Sequence, residues 1–157
     1  MSTRTRLVAV IALAVAVAAA AFVGLQARGA SATADARNDA LAAAKTRVPE
    51  LLSYENATLE DDLATALDQT TGAFTDDYRT ILTDVVTPTA TERRISTSAS
   101  VSAAGVVSGD RDEVVVLLFL TQSTTAAKAG TTVAGSRVEV TMARDGDTWK
   151  IAGLKPL

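Results

Sequence analysis

Hydrophobic positions change period twice along this chain. From Leu7 to Leu25 (LVAVIALAVAVAAAAFVGL) no charged or strongly polar side chain interrupts the run. As a helix it reaches about 28 Å at 1.5 Å per residue, close to the ~30 Å hydrocarbon core of a bilayer. From about Asp35 the period becomes helical, with Leu41, Ala44, Val48 and Leu52 recurring at spacings of three and four as one apolar stripe. Pro49 removes a backbone donor and clashes one turn back, so a kink or break is expected there. From Ile95 the period drops to two.

Two further helices are expected before that change. Thr58 can cap a helix whose inward stripe is Leu59, Leu63 and Leu67, with Asp61 as the capping-box acid and Gly72 in a left-handed position after its end. Phe74, Tyr78, Ile81, Leu82 and Val85 mark a third helix, capped by Thr71 or Thr75 and ended near Pro88. In the second half, Ile95, Thr97, Ala99, Val101 and Ala103 alternate with Ser96, Ser98, Ser100 and Ser102 as a half-buried strand. Ser108-Gly109-Asp110 turns the chain into Glu113–Gln122 (EVVVLLFLTQ), a continuous apolar run that reads as a central strand covered on both faces, with Phe119 buried. Ser123–Val133 reads as a loop, Ser136–Arg144 as a strand, and Asp145-Gly146-Asp147 as a tight turn into Thr148–Leu154. Helices followed by four strands on short turns give an α+β domain, an antiparallel sheet with helices on one face.

The first run divides the chain into a cytoplasmic N-terminus (residues 1–6), a transmembrane anchor (7–25), a small polar tether (26–33) and an exported domain (34–157). Arg4 and Arg6 precede the run and only Arg28 follows it closely, so the positive-inside rule puts the N-terminus in the cytoplasm. This makes it a single-pass protein of the cell membrane. The rival reading is a secretory signal peptide cleaved at Ala30-Ser31-Ala32, but the apolar run exceeds the usual ~7–15 residues of a signal core. Ala12, Ala16, Ala20 and Gly24 recur every four residues, a face of small side chains that permits close helix approach and an oligomer through the anchor. In so alanine-rich a segment, composition alone also yields such a face.

Charge and composition narrow the chemistry. Of 15 basic residues Arg4 and Arg6 precede the anchor, leaving 13 against 18 acidic residues and a net charge of −5 beyond it. No basic cluster is present for nucleic acid. The chain has no cysteine and no histidine, which removes thiolate chemistry, the usual zinc ligand and any Ser-His-Asp triad. No catalytic, metal or cofactor-binding residue is assigned, and no cofactor is expected. Asp61-Asp62 and Asp76-Asp77 are the adjacent carboxylate pairs, and both sit where acids favour a helix start. Tyr54, Phe74, Tyr78, Phe119 and Trp149 are the aromatics of the exported domain, candidates for the lining of an apolar ligand pocket and, more simply, for core packing. Tyr78 with Asp77 or Asp61 would be the dyad of an isomerase or dehydratase.

The chain resembles the actinobacterial Mce-associated membrane proteins. The matching landmarks are the anchor, VPELLSY (Val48–Tyr54), TLEDDLATALDQTTGAF (Thr58–Phe74) and DDYRTILTDVVTP (Asp76–Pro88). They continue with AAGVVS (Ala103–Ser108), VVVLLFLTQSTT (Val114–Thr125), GSRVEVTM (Gly135–Met142) and GDTWKIAGLKP (Gly146–Pro156). Members often carry a second aromatic shortly after the position of Tyr54, where this chain has Glu55-Asn56. The resemblance implies a cone-shaped domain like nuclear transport factor 2 and the VirB8 periplasmic domain, with helices packed on a curved four-stranded sheet. It also implies a non-catalytic accessory subunit that stabilises an Mce-type lipid import complex, with the membrane and Mce-family transporter proteins as partners. The alternative is a binding module whose cone holds a small apolar ligand.

N-terminal sequencing of protein extracted from membranes checks the anchor. The expected chain retains residues 7–25, whereas a mature chain starting at Thr33 means a cleaved signal.

Overall fold

Strands fill the C-terminal half of the structure, a computed structural model that describes residues 29–157. They form one antiparallel meander in the order β1 (Ile95–Gly109), β2 (Glu113–Ala126), β3 (Gly130–Asp145) and β4 (Thr148–Pro156). The α+β expectation holds, and all four strands outrun their expected ends. The largest difference is at Ser123–Val133, which is a hairpin rather than a loop: Ser123–Ala126 pairs with Gly130–Val133 across a short turn. Thr124, Thr125, Thr131, Thr132 and Val133 are β-branched and favour this extended backbone. Gly130 at φ +75° lets the chain reverse without a Cβ penalty.

The chain divides between Asp35 and Ala36. N-terminal to that point residues 29–35 are helical, so the tether expected over 26–33 is helical where it is described. The expected anchor, with Ala12, Ala16, Ala20 and Gly24, lies outside the described residues. Among the described residues no helix is long and apolar enough to cross a membrane.

From Ala36 the domain opens with α1 (residues 36–51). Its buried stripe is Ala36, Ala40, Ala44, Val48 and Leu51; Ala44 and Val48 were expected there, while Leu41 and Leu52, expected as its other members, are only partly buried at its flanks. The helix runs two residues past Pro49 and ends in a turn, the Leu52 amide donating to the carbonyls of Val48 and Pro49. A short 3-10 turn (Asn56–Thr58) leads into α2 (Leu59–Asp68). The expected capping box is absent. Asp62 takes that role instead, accepting from the Glu55 amide and the Thr58 hydroxyl, each at 2.8 Å. Gly72 has the expected positive φ, +64°, but its ψ of −151° is not left-handed helical and it stands directly before α3 (Ala73–Ile81), and neither Thr71 nor Thr75 caps that helix. Nor does Pro88 end the helical run. A π turn (Leu82–Val86) shifts the hydrogen bonds by one residue, the Thr87 amide donating to Leu82, and α4 (Thr87–Arg93) then starts with Pro88 in its first turn, where no amide is needed.

The sheet is half-covered. Val114, Val116, Leu118 and Leu120 are buried against α1, with Val138, Val140, Met142, Trp149 and Ile151 from β3 and β4. Phe119 points the other way and is 45% exposed, so the expectation of a strand buried on both faces fails. A run of apolar residues conceals the alternation, and among the described residues helices cover only one side. The inward phase of β1 also shifts. A bulge between Val101 and Ala103 turns Ala104 and Val106 toward the core in place of Ala103. Leu118→Ala should destabilise the domain by about 2–5 kcal/mol and Phe119→Ala by less than about 1 kcal/mol, which thermal unfolding of the two variants measures directly.

Candidate functional site

The recess with the most organised lining lies where the end of α1 meets the start of β1. The chain leaving α1 is pinned there by backbone: the Tyr54 amide donates to Thr97 O at 2.9 Å and the Thr97 amide returns to Tyr54 O at 2.8 Å. Ser53 Oγ accepts from the Ala99 amide at 2.9 Å. This places Tyr54 over a recess of about 270 Å³ whose other walls include Leu51, Leu52, Tyr78, Leu82, Thr97 and Gln122. Tyr78 crosses it from α3. Its hydroxyl donates to the Leu51 carbonyl at 2.6 Å, and its ring stacks on Phe74 with centroids 5.7 Å apart. The Leu51 carbonyl belongs to the last turn of α1, where such groups lack a helical partner, so the phenol closes that helix end.

Several polar groups inside the recess bond to one another, while the Tyr54 hydroxyl has no partner among the described residues. Gln122 Nε2 donates to Thr97 Oγ1 at 2.9 Å, and Thr124 Oγ1 lies 3.4 Å from the same oxygen. Among the described residues, no carboxylate or cation lines the recess. Its titratable groups are the two tyrosines, and both are pushed toward the neutral form. Burial, with a smaller contribution from nearby Tyr54, raises Tyr78 to about 12. Burial alone raises Tyr54. Neither can serve as a base near neutral pH.

The five aromatics expected to line one pocket therefore separate. Tyr54 and Tyr78 face the recess, with Phe74 behind Tyr78. Phe119 lies on the opposite face of the sheet. Trp149 is buried in the core with Arg144 stacked 4.8 Å above its ring, and its indole N–H has no partner among the described residues. The dyad of Tyr78 with Asp77 or Asp61 is not formed, since the phenol is bonded to a carbonyl and both aspartates are exposed. Asp76 pairs instead with Arg79 at 2.5 Å on the surface of α3. Thr97, Gln122 and Thr124 were legible in principle: Thr97 stands in the inward phase of β1, and the parity of Leu118 and Leu120 carries on to Gln122 and Thr124.

A second feature is the outer face of the sheet. Around Phe119 a shallow recess of about 520 Å³ is bounded by Ser102, Thr121, Gly135, Ser136, Arg137 and Leu157. Leu157 is 54% exposed and Val107, further along β1, is 57% exposed.

Comparison with known proteins gives one family and one fold. Residues 1–155 match the family described as "Uncharacterized protein Rv1363c/MT1408-like". A relative named outer membrane protein Rv1973, from Mycobacterium tuberculosis H37Rv, is 39% identical over 122 residues, covering 78% of this chain and 76% of the relative. Among solved structures, an IcmL-like type IV secretion system protein from Legionella pneumophila superposes with a TM-score of 0.67 at 7% identity, covering 77% of this chain and 91% of that one. CagV, a VirB8 homologue of the Helicobacter pylori type IV secretion system, gives 0.58 at 12% identity, covering 74% and 96%. At such identities the likeness is one of fold, and it agrees with the VirB8-like architecture that the family resemblance implied. None of these names mentions Mce proteins.

The phenol of Tyr78 generates a pH test. Its folded pKa lies above the unfolded value near 10, so its contribution to stability is fully present below pH 10 and is lost as pH rises through about 12. Tyrosinate absorbance should show one of the two tyrosines ionising far later than a free phenol. Tyr78→Phe should remove that late step and flatten the alkaline fall in melting temperature, at a cost near pH 7 of about 0.5–1.5 kcal/mol for the lost hydrogen bond.

Proposed function

The chain belongs to the Rv1363c/MT1408-like family, and from that premise we propose that its domain is a non-catalytic accessory subunit of an envelope assembly. The finer reading is an Mce-type lipid import complex whose proteins it holds together. In this reading residues 7–25 anchor it in the membrane with the N-terminus in the cytoplasm, and the domain from Ala36 docks onto partner proteins outside. The membrane setting draws support from the relative named outer membrane protein. The VirB8-type fold, which CagV carries in a secretion system, is compatible with a docking role.

The observation that carries the proposal is the filled inner face of the sheet. Leu51, Val116, Leu118, Val140, Met142 and Ile151 are each at most 2% exposed and occupy the space in which a cone-shaped fold would hold a ligand. What remains is the recess of about 270 Å³ beside Tyr54 and Tyr78, at the lower limit of the ~300–1,000 Å³ typical of small-molecule sites. The apolar chemistry sits outside, where Phe119 stands exposed in mid-sheet and offers an anchor of the kind that protein interfaces use.

A second reading, an apolar ligand held between the two tyrosines, rests on that recess having an uncharged lining. One experiment separates the two. Deleting the gene should lower the abundance of the partner transporter proteins without changing their transcripts, because an unassembled subunit is open to proteolysis. Full-length Phe119→Glu should accumulate normally in membranes yet co-purify several-fold less partner. Normal transporter levels in the deletion strain with lipid uptake lost would overturn the assembly role and favour the ligand.

A further inference from the structure

The two outer strands and the first half of β3 differ in how their free edges are treated. β1 is covered near its start by Tyr54 and Ser53. β4 is covered by the segment after α2, through hydrogen bonds of Ile151 with Gln69 and Thr71 at 2.8 and 2.9 Å. β3 pairs with β4 only from Val138 onward, and the contact ends with the Leu157 amide donating to Arg137 O at 3.1 Å. Before that point, residues 130–136 (GTTVAGS) pair with β2 on one side and, among the described residues, with nothing on the other.

This stretch is an unusual edge. All seven residues are exposed, Val133 at 67%, and none is charged or proline. No register shift twists the strand out of line there. Natural edges of such length are ordinarily blunted by lysine, proline or a bulge, since an open ladder otherwise recruits another strand.

Parity identifies which backbone groups are open. Arg137 turns its carbonyl toward β4. In a regular strand the residues two apart do the same, so Thr131, Val133 and Gly135 direct their N–H and C=O outward while the even positions bond to β2. That set is self-complementary. A two-fold axis through Val133 sets Val133 opposite its own copy and Thr131 opposite Gly135, each an odd position meeting an odd one, so that six outward donors find six outward acceptors. Side chains agree with the same register, which sets Thr132 opposite Ala134 and Gly130 opposite Ser136 with no like charges facing. The flanking cations fall outside the ladder, as Arg137 lies opposite Ala129.

We propose that residues 130–136 pair antiparallel with the same residues of a second copy of this chain, about a two-fold axis through Val133. The interface is isologous and closes on itself, so it gives a dimer and not a fibre. It is distinct from an oligomer held through the anchor, and it leaves Phe119 open to other proteins.

The chain has no cysteine, so single-cysteine variants of the full-length protein in its own membrane test the register. In the proposed pair the two residues at position 133 have Cα atoms about 5.5 Å apart, within reach of a disulfide. Mild oxidation of Val133→Cys should give at least tenfold more covalent dimer than Val107→Cys, a control on β1 that is also well exposed. Thr131→Cys and Gly135→Cys should each cross-link poorly alone and efficiently when co-expressed. Gly135 tolerates the change, a Cβ there meeting only the Leu120 carbonyl at 3.9 Å. Equal yields from positions 133 and 107 would overturn the interface, as would a Thr131→Cys homodimer as abundant as that of Val133→Cys. A Val133→Cys adduct with a different polypeptide would overturn the choice of a second copy.

Discussion

Close approach between α1 and the sheet is the constraint on which the rest of the domain depends. Ala36, Ala40 and Ala44 are 3%, 0% and 0% exposed and make the contact stripe of the helix almost flat. That flatness suits a sheet whose inward face is built from larger side chains, Leu118, Leu120, Met142 and Ile151 among them. Larger groups at these helix positions would force the layers apart or strain both. Arg37 adds a tie beside the stripe, its Nε and Nη2 donating to Gly109 O at 3.0 and 2.7 Å, so α1 also holds the β1–β2 turn. Gly109 is irreplaceable there, because a Cβ would come within 2.6 Å of the Val114 backbone.

The same alanines explain where reading the sequence went astray. Apolar periodicity placed Ala44 and Val48 correctly on the buried face, but at its two ends it took the larger Leu41 and Leu52 where Ala40 and Leu51 are the buried residues. Strand period was legible wherever serine or charge marked the outward positions. It was hidden in Glu113–Gln122, because apolar residues occupy both faces and only tertiary covering decides which is inward. The threonine-rich Ser123–Val133 segment misled for the opposite reason: its polarity reads as a loop, but β-branching and a positive-φ glycine make it a hairpin. Pro88 misled because a proline can sit in the first turn of a helix if the preceding turn loosens, which the π segment at Leu82–Val86 allows.

At the candidate site, sequence alone grouped Tyr54 and Tyr78 with Phe74, Phe119 and Trp149 but could not tell which of the five meet. The meeting of Tyr54 and Tyr78 depends on the bridge between Tyr54 and Thr97, a long-range contact that no local pattern encodes. Once formed, it commits the chemistry. The phenol of Tyr78 is consumed in closing the last turn of α1, Gln122 is consumed by Thr97, and the acids remain at helix starts on the surface. The Tyr54 hydroxyl alone among the side-chain hydroxyls of the recess has no hydrogen-bond partner among the described residues.

An antiparallel meander of four strands has two edges to protect, and this chain protects them with its connections instead of with charge. The segment between α1 and α2 lies on β1, and the segment between α2 and α3 lies on β4, so the helices are threaded along the sheet by the backbone groups they cover. The cost of that arrangement is length. β2 and β3 extend past the covered region, and the excess of β3 has no connection left to lie on it. A strand can be lengthened without an exposed ladder only if something else completes it. Among the described residues, the uncharged run Gly130–Ser136 is a stretch of unbulged strand whose outer edge the fold does not close with its own residues.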